Sequence, residues 1–102
     1  MKRAVFFDRD GVLNNLIKRD GGYFSPRKLS EFTIIPNSVK VTNYTKSKGY
    51  LNIVISNQPD IKRGYLTKSD LNHMTKVLCD NLIIDDVFFF ISCFISINST
   101  LG

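Results

Sequence analysis

Two aspartates one residue apart, Asp8 and Asp10, stand at the end of a short apolar run, Ala4-Val5-Phe6-Phe7, and Gly11 follows them. In extended chain the side chains of residues i and i+2 point the same way, so both carboxylates can approach one bound group. Gly11 allows the sharp turn that must come next. Such a pair can divide labour at a phosphate ester. One carboxylate attacks phosphorus, and the other protonates the leaving oxygen and later takes a proton from water. A carboxylate approaching a phosphate dianion meets like-charge repulsion. Mg²⁺, held partly by Asp8 and by the main-chain carbonyl of Asp10, offsets it. Two aspartates in this spacing also occur as simple caps on a turn, so the reading needs a second element.

A second apolar run, Tyr50-Leu51-Asn52-Ile53-Val54-Ile55, supplies one, because it too stops at polar residues, Ser56-Asn57. A hydroxyl and an amide beside turn amides suit the nonbridging oxygens of a phosphoryl group. The same two residues can instead satisfy the local backbone. Lys62, Arg63 and Gly64 follow in a loop rich in turn residues, where Arg63 can reach a further anionic group or remain a solvated charge.

These residues need elements that bring them together. The run at residues 4–7 is continuous and apolar, as in a strand buried on both faces of a parallel sheet. Residues 12–33 show no sustained period; Gly21-Gly22 and Pro26 mark turns, so a long loop with a small hairpin is expected. Pro36-Asn37-Ser38 opens a helix that Asn37 or Ser38 caps, with Val39, Val41 and Tyr44 facing inward and Gly49 ending it. Thr67 and Asp70 form a capping-box-like start for a second helix, whose stripe is Leu71, Met74, Leu78 and Leu82. A third strand begins at Val87. Strands alternating with helices imply an α/β fold with a parallel, three-layer, Rossmann-like sheet, here truncated after about three strands. Ligands sit beyond the carboxyl ends of such strands, which is where Asp8, Asp10, Ser56 and Asn57 fall. Asp85-Asp86 precede a strand and so belong to the opposite rim.

The chain has 102 residues, enough for one small domain with a modest core. Its net charge of +5 fits an anionic substrate, nucleic acid or a solvated surface. The basic residues are scattered with no run of five, so nucleic acid is not expected as a partner. Cys79 and Cys93 form no CxxC pair and lie away from His73, which gives no zinc site and suits a reducing, cytoplasmic setting. The apolar stretch behind Met1, Lys2 and Arg3 is too short for a signal peptide. The run from Val87 to Ile97 is about half of what a membrane helix needs, so no membrane partner is expected.

Phe7-Asp8-Arg9-Asp10-Gly11-Val12-Leu13-Asn14 resembles the first motif of the haloacid dehalogenase-like phosphatases. It is most similar to the branch containing histidinol-phosphate phosphatase and D-glycero-D-manno-heptose 1,7-bisphosphate phosphatase. Tyr23-Phe24-Ser25-Pro26-Arg27 and the stretch Ile53-Val54-Ile55-Ser56-Asn57-Gln58-Pro59-Asp60-Ile61-Lys62-Arg63-Gly64 resemble it too, in order and spacing. The resemblance implies a phosphomonoesterase of carbohydrate metabolism that acts on a small phosphorylated metabolite, such as a sugar bisphosphate, through an aspartyl-phosphate. It implies Asp8 as nucleophile and Asp10 as general acid/base, with Mg²⁺ at Asp8 and Asp10. Ser56 would bind the phosphoryl group; Asn57, Arg63 and Arg27 would help to bind substrate. It covers residues 1–89, the N-terminal half of such a domain, and leaves 90–102 as a divergent Phe-rich tail. The branch's zinc-binding cysteine loop, basic phosphoryl clamp and late acidic pair have no counterpart; Lys68, Lys76, Asp85, Asp86 and Cys93 do not fit those roles. The alternative expectation is therefore a truncated, catalytically incomplete remnant of such an enzyme.

Overall fold

A computed structural model describes residues 2–91 and, as backbone, 94–98. Cys93 lies outside the described residues. The elements run β1 (Arg3–Asp8), β2 (Ile17–Arg19), β3 (Gly22–Phe24), a 3-10 turn (Leu29–Glu31), α1 (Pro36–Ser47), β4 (Tyr50–Asn57), α2 (Pro59–Arg63), α3 (Lys68–Asn81), β5 (Asp86–Ile91) and β6 (Phe94–Asn98). The main sheet has the order β1-β4-β5-β6. Its first three strands are parallel, with Phe7 opposite Val54 and Val54 opposite Val87. This is the α/β, Rossmann-like parallel sheet of three strands that the alternation of elements implies.

The core explains why these strands form. Val54, Val87, Phe7 and Phe89 cluster with Leu71, Met74 and Leu78 of α3, all buried. Full burial of one such side chain is worth about 1.5–3 kcal/mol. Asn52 lies two residues before Val54 and so shares its face; its amide nitrogen donates to Thr42 O of α1 at 2.9 Å. Both long helices therefore cover the same face. On the other face Phe6 is 61% exposed. α3 begins as its sequence implies: Thr67 Oγ1 accepts from Asp70 N at 3.0 Å, and Leu71, Met74 and Leu78 form the buried stripe. The hairpin within the long loop is present as β2 and β3, with Asp20 and Gly21 at positive φ in its turn.

Two local expectations are corrected. α1 takes no side-chain cap; Ile35 precedes it, Pro36 opens it, and Ser38 Oγ turns back to Ile35 O and Leu13 O. Its buried residues are Ser38 and Thr42, whereas Val41 and Tyr44 are exposed. The cause is polar: this helix packs on the buried amide of Asn52, so a hydroxyl face is turned inward. Lys62 and Arg63 lie on the short helix α2, not in a loop, and Gly64 closes that helix at φ +81°. Beyond residue 89, β5 continues to Ile91 and β6 pairs with it antiparallel, Phe89 opposite Ser96. Residues 94–98 thus add a fourth, antiparallel strand, for which β-branched Ile95 and Ile97 have the propensity. Among the described residues no helix is long and apolar enough to cross a membrane.

Candidate active site

β1 and β4 end side by side. Asp8 stands opposite Ile55, one residue before Ser56. The strand stops at Asp8, and the chain turns at once: the amides of Val12, Leu13 and Asn14 all donate to Arg9 O, at 2.8 to 3.2 Å. Gly11, at φ +86°, occupies the left-handed position this turn requires. The turn swings Asp10 across toward β4 and tucks Arg9 beneath it.

The Asp10 carboxylate is held by four bonds. Its Oδ1 accepts from Arg9 Nε (3.2 Å), Arg9 Nη2 (2.8 Å) and Asn14 Nδ2 (3.0 Å). Its Oδ2 accepts from Gln58 Nε2 at 2.8 Å, and the same nitrogen lies 2.6 Å from Ser56 Oγ. Arg9 is fully buried, with its guanidinium 5.4 Å from the centre of the Phe32 ring. With three donors on Oδ1, a proton on this carboxyl has room only on Oδ2, the oxygen facing the second strand tip. Asp8 is exposed, and among the described residues its carboxylate has no hydrogen-bond or ion-pair partner.

Ser56 is buried and Asn57, the last residue of β4, is exposed. Arg27 and Arg63 meet on a different anchor, the buried Asp60 of α2. Arg27 Nε lies 3.1 Å from Asp60 Oδ2, and Arg63 Nη1 lies 3.5 Å from Asp60 Oδ1. Arg27 also stacks over Tyr65, 4.2 Å to the ring centre, which holds its planar head in place. Asp60 follows Gln58 by two residues, so the basic pair flanks the tip of β4. The sites read from sequence therefore fall into two joined groups: Asp8, Asp10, Ser56 and Asn57 at the strand tips, and Arg27 with Arg63 beside them.

Sequence reasoning passed over Arg9, Asn14 and Gln58. Arg9 sits between the two aspartates and, in an extended strand, would point away from them; only the turn brings it round. Polar residues flanking a strand tip without solvent to serve them were the available signal.

Asp85 behaves as its place before β5 implies. Its carboxylate accepts from Asn52 N at 2.7 Å and from Lys46 Nζ at 2.8 Å, on the rim opposite Asp8. Burial pushes its pKa up, but the bonds from Lys46 and the Asn52 amide outweigh that and hold it below the usual carboxylate value.

The residues present can be weighed against Mg²⁺, which prefers oxygen ligands and keeps several waters. Asp8 offers an open carboxylate. The main-chain turn after β1 runs its hydrogen bonds to Arg9 O and Asn14 O, leaving the Asp10 carbonyl clear of them. The Asp10 carboxylate is committed to its donors. Among the described residues no cluster of three His, Cys, Asp or Glu surrounds the tip. Asp8 and the Asp10 carbonyl are the oxygen donors at this tip of the kind such an ion takes.

The parallel sheet with Asp8 and Ser56 at its strand tips defines an α/β, Rossmann-like unit. More narrowly, the chain is homologous to the N-terminal part of the heptose bisphosphate phosphatases. It is 36% identical over 76 residues to the D-glycero-beta-D-manno-heptose-1,7-bisphosphate 7-phosphatase of Pasteurella multocida (strain Pm70), covering 74% of this chain and 38% of that protein. It is 40% identical over 68 residues to the D-glycero-alpha-D-manno-heptose-1,7-bisphosphate 7-phosphatase of Burkholderia mallei (strain ATCC 23344), covering 67% and 33%. The chain thus spans well under half the length of these relatives. Its fold matches the crystal structure of D,D-heptose 1.7-bisphosphate phosphatase from B. bronchiseptica complexed with magnesium and phosphate. The TM-score is 0.68 at 22% identity, over 88% of this chain and 50% of that one. No family model matches the chain.

Proposed function

We propose that the strand tips bind the phosphoryl group of a small phosphorylated metabolite, a sugar bisphosphate by kinship, and that the protein hydrolyses it through an aspartyl-phosphate. The observation carrying this reading is Gln58, whose amide touches Asp10 and Ser56 at once and so joins the two tips into one constellation. The named activity of the relatives and the magnesium and phosphate in the related crystal structure support the same reading.

In this mechanism Asp8 attacks phosphorus through its open carboxylate. The bond to the ester oxygen breaks, and Asp10 gives the leaving oxygen its proton from Oδ2. Asp10 then takes a proton from water as that water attacks phosphorus and releases Asp8. The Ser56 hydroxyl donates to a nonbridging oxygen; Asn57 lies beside it. Arg27 and Arg63 draw the substrate's second anionic group toward Asp60's flank. Mg²⁺, when bound at Asp8 and the Asp10 carbonyl, supplies positive charge against the repulsion between carboxylate and phosphate. The cytoplasm is the proposed compartment, in keeping with a sequence whose two cysteines, Cys79 and Cys93, form no CxxC pair.

The test is release of inorganic phosphate from a panel of sugar phosphates with Mg²⁺. Turnover that is abolished by Asp8→Asn is the expected result. Phosphate binding without turnover would instead favour an incomplete catalytic unit. Folded protein that neither binds phosphate nor turns over any ester of the panel would contradict the assignment.

A further inference from the structure

Gln58 is 1% exposed, and burying an amide is costly unless its polar atoms are hydrogen-bonded. Its backbone is fixed independently of its side chain: Gln58 N donates to Phe90 O of β5 at 2.8 Å, extending the parallel ladder by one residue. The side chain then turns back under the tip of β4, and Nε2 donates to both Asp10 Oδ2 (2.8 Å) and Ser56 Oγ (2.6 Å). A serine hydroxyl offers one donor and two acceptor positions. With Gln58 donating to it, the hydroxyl's own proton is left to be donated elsewhere, and no acceptor among the described residues takes it. Asp10 is constrained in the same way: Arg9 and Asn14 occupy Oδ1, and Gln58 sets the direction of Oδ2.

We propose that Gln58 is a positioning residue, whose side-chain amide fixes Ser56 as a hydrogen-bond donor to the phosphoryl group and aims the proton-carrying oxygen of Asp10 at the same point. The assignment rests on the reading of the strand tips as a phosphoryl site. Without the amide, the Ser56 hydroxyl can donate to Asp10 instead of to a ligand. A carboxylate is a strong, charge-assisted acceptor that competes with the ligand, and the site would then turn its donor inward.

Binding of inorganic phosphate in the presence of Mg²⁺, by isothermal titration, tests this with three variants: Gln58→Met, Ser56→Ala and the double variant. Methionine keeps the length and packing of glutamine but donates nothing. One hydrogen bond to a charged acceptor corresponds to roughly a tenfold or larger change in affinity. Gln58→Met is expected to weaken phosphate binding about tenfold, close to Ser56→Ala, and the double variant is expected to be little worse than either. A purely structural role predicts losses that multiply and that follow unfolding by urea. Wild-type affinity in folded Gln58→Met, or multiplicative losses, would overturn the proposal while leaving the phosphoryl site intact. Failure of folded wild-type protein to bind phosphate would remove the site itself. A second readout needs no variant: the two Nε2 protons of Gln58 should shift in ¹⁵N–¹H spectra as phosphate is added. Signals that stay put through saturation would also overturn it.

Discussion

Arg9 and Asp10 are unequal partners, and their asymmetry can be measured. Arg9 is fully buried, and the Asp10 side chain is about 10% exposed. Among the described residues, Asp10→Ala leaves a buried guanidinium with only the Phe32 ring as a negative surface, and it strips Asn14 and Gln58 of an acceptor as well. Removing one partner of a buried ion pair costs about 3–5 kcal/mol. Arg9→Met takes two charge-assisted bonds from Asp10, each worth about 1.5–3 kcal/mol. Two features offset that loss. Asp10 keeps its Asn14 and Gln58 donors and can reach water. Arg9 Nη1 is also buried with no hydrogen-bond partner, so deleting it relieves a cost of about 1–3 kcal/mol. The net expectation is about 1–2 kcal/mol for Arg9→Met. Urea unfolding followed by circular dichroism separates the two, because a slope near 2 kcal/mol/M puts the Asp10→Ala midpoint roughly 1 M below that of Arg9→Met. The double variant Arg9→Met/Asp10→Leu should recover much of the loss, as apolar replacement of buried pairs does. Arg9→Met proving as damaging as Asp10→Ala would refute the picture of a buried cation anchored by a carboxylate that retains other partners.

Other substitutions test the frame around the site. Asn52 donates to Thr42 O and Ile83 O and accepts from Thr45 Oγ1. Asn52→Leu, which keeps the branched shape and the number of heavy atoms, should therefore cost about 2–4 kcal/mol in urea unfolding by orphaning buried acceptors; a neutral effect would show that those carbonyls find water. Asp85 has a depressed folded pKa, so its contribution is present above the unfolded value near 3.8 and fades as pH falls through the lower folded value. The stability gap between wild type and Asp85→Asn should be constant from pH 5 to 8 and close in more acid solution; a gap that widens with acid would reverse the sign. Thr67→Ala removes the cap on α3 and should lower stability by about 1 kcal/mol. Capping that mattered little would leave the thermal midpoint unchanged.

The strand tips were legible because an apolar run ending at a carboxylate or hydroxyl is a conspicuous break, and alternating strands and helices then place both breaks on one rim. Thr67 and the α3 stripe were legible because capping and a helical period are local properties. The inner face of α1 was not. Its Ser38 and Thr42 face the core to serve Asn52, a buried amide inside an otherwise apolar strand, and no period in residues 36–47 reveals a partner located in another element. Arg9 and Gln58 were hidden for the same reason. Each acts only after a turn folds its side chain back onto a group distant in space, as Gln58 reaches Asp10 across 48 residues. The hairpin was visible from its glycines, but its docking through Arg19 to Glu31 and Arg27 to Asp60 depends on long-range ion pairs that spacing does not announce.

The central claim is that the ends of β1 and β4 serve a single phosphoryl group, and the most direct measurement is a ¹⁵N–¹H titration with Mg²⁺ and beryllium fluoride, a mimic of a phosphorylated carboxylate. The amides of Asp8, Asp10, Ser56 and Asn57 should move together with one saturation curve, and Asp8→Asn should abolish the response. Shifts confined to one strand tip, or to Arg27 and Arg63 alone, would contradict the account.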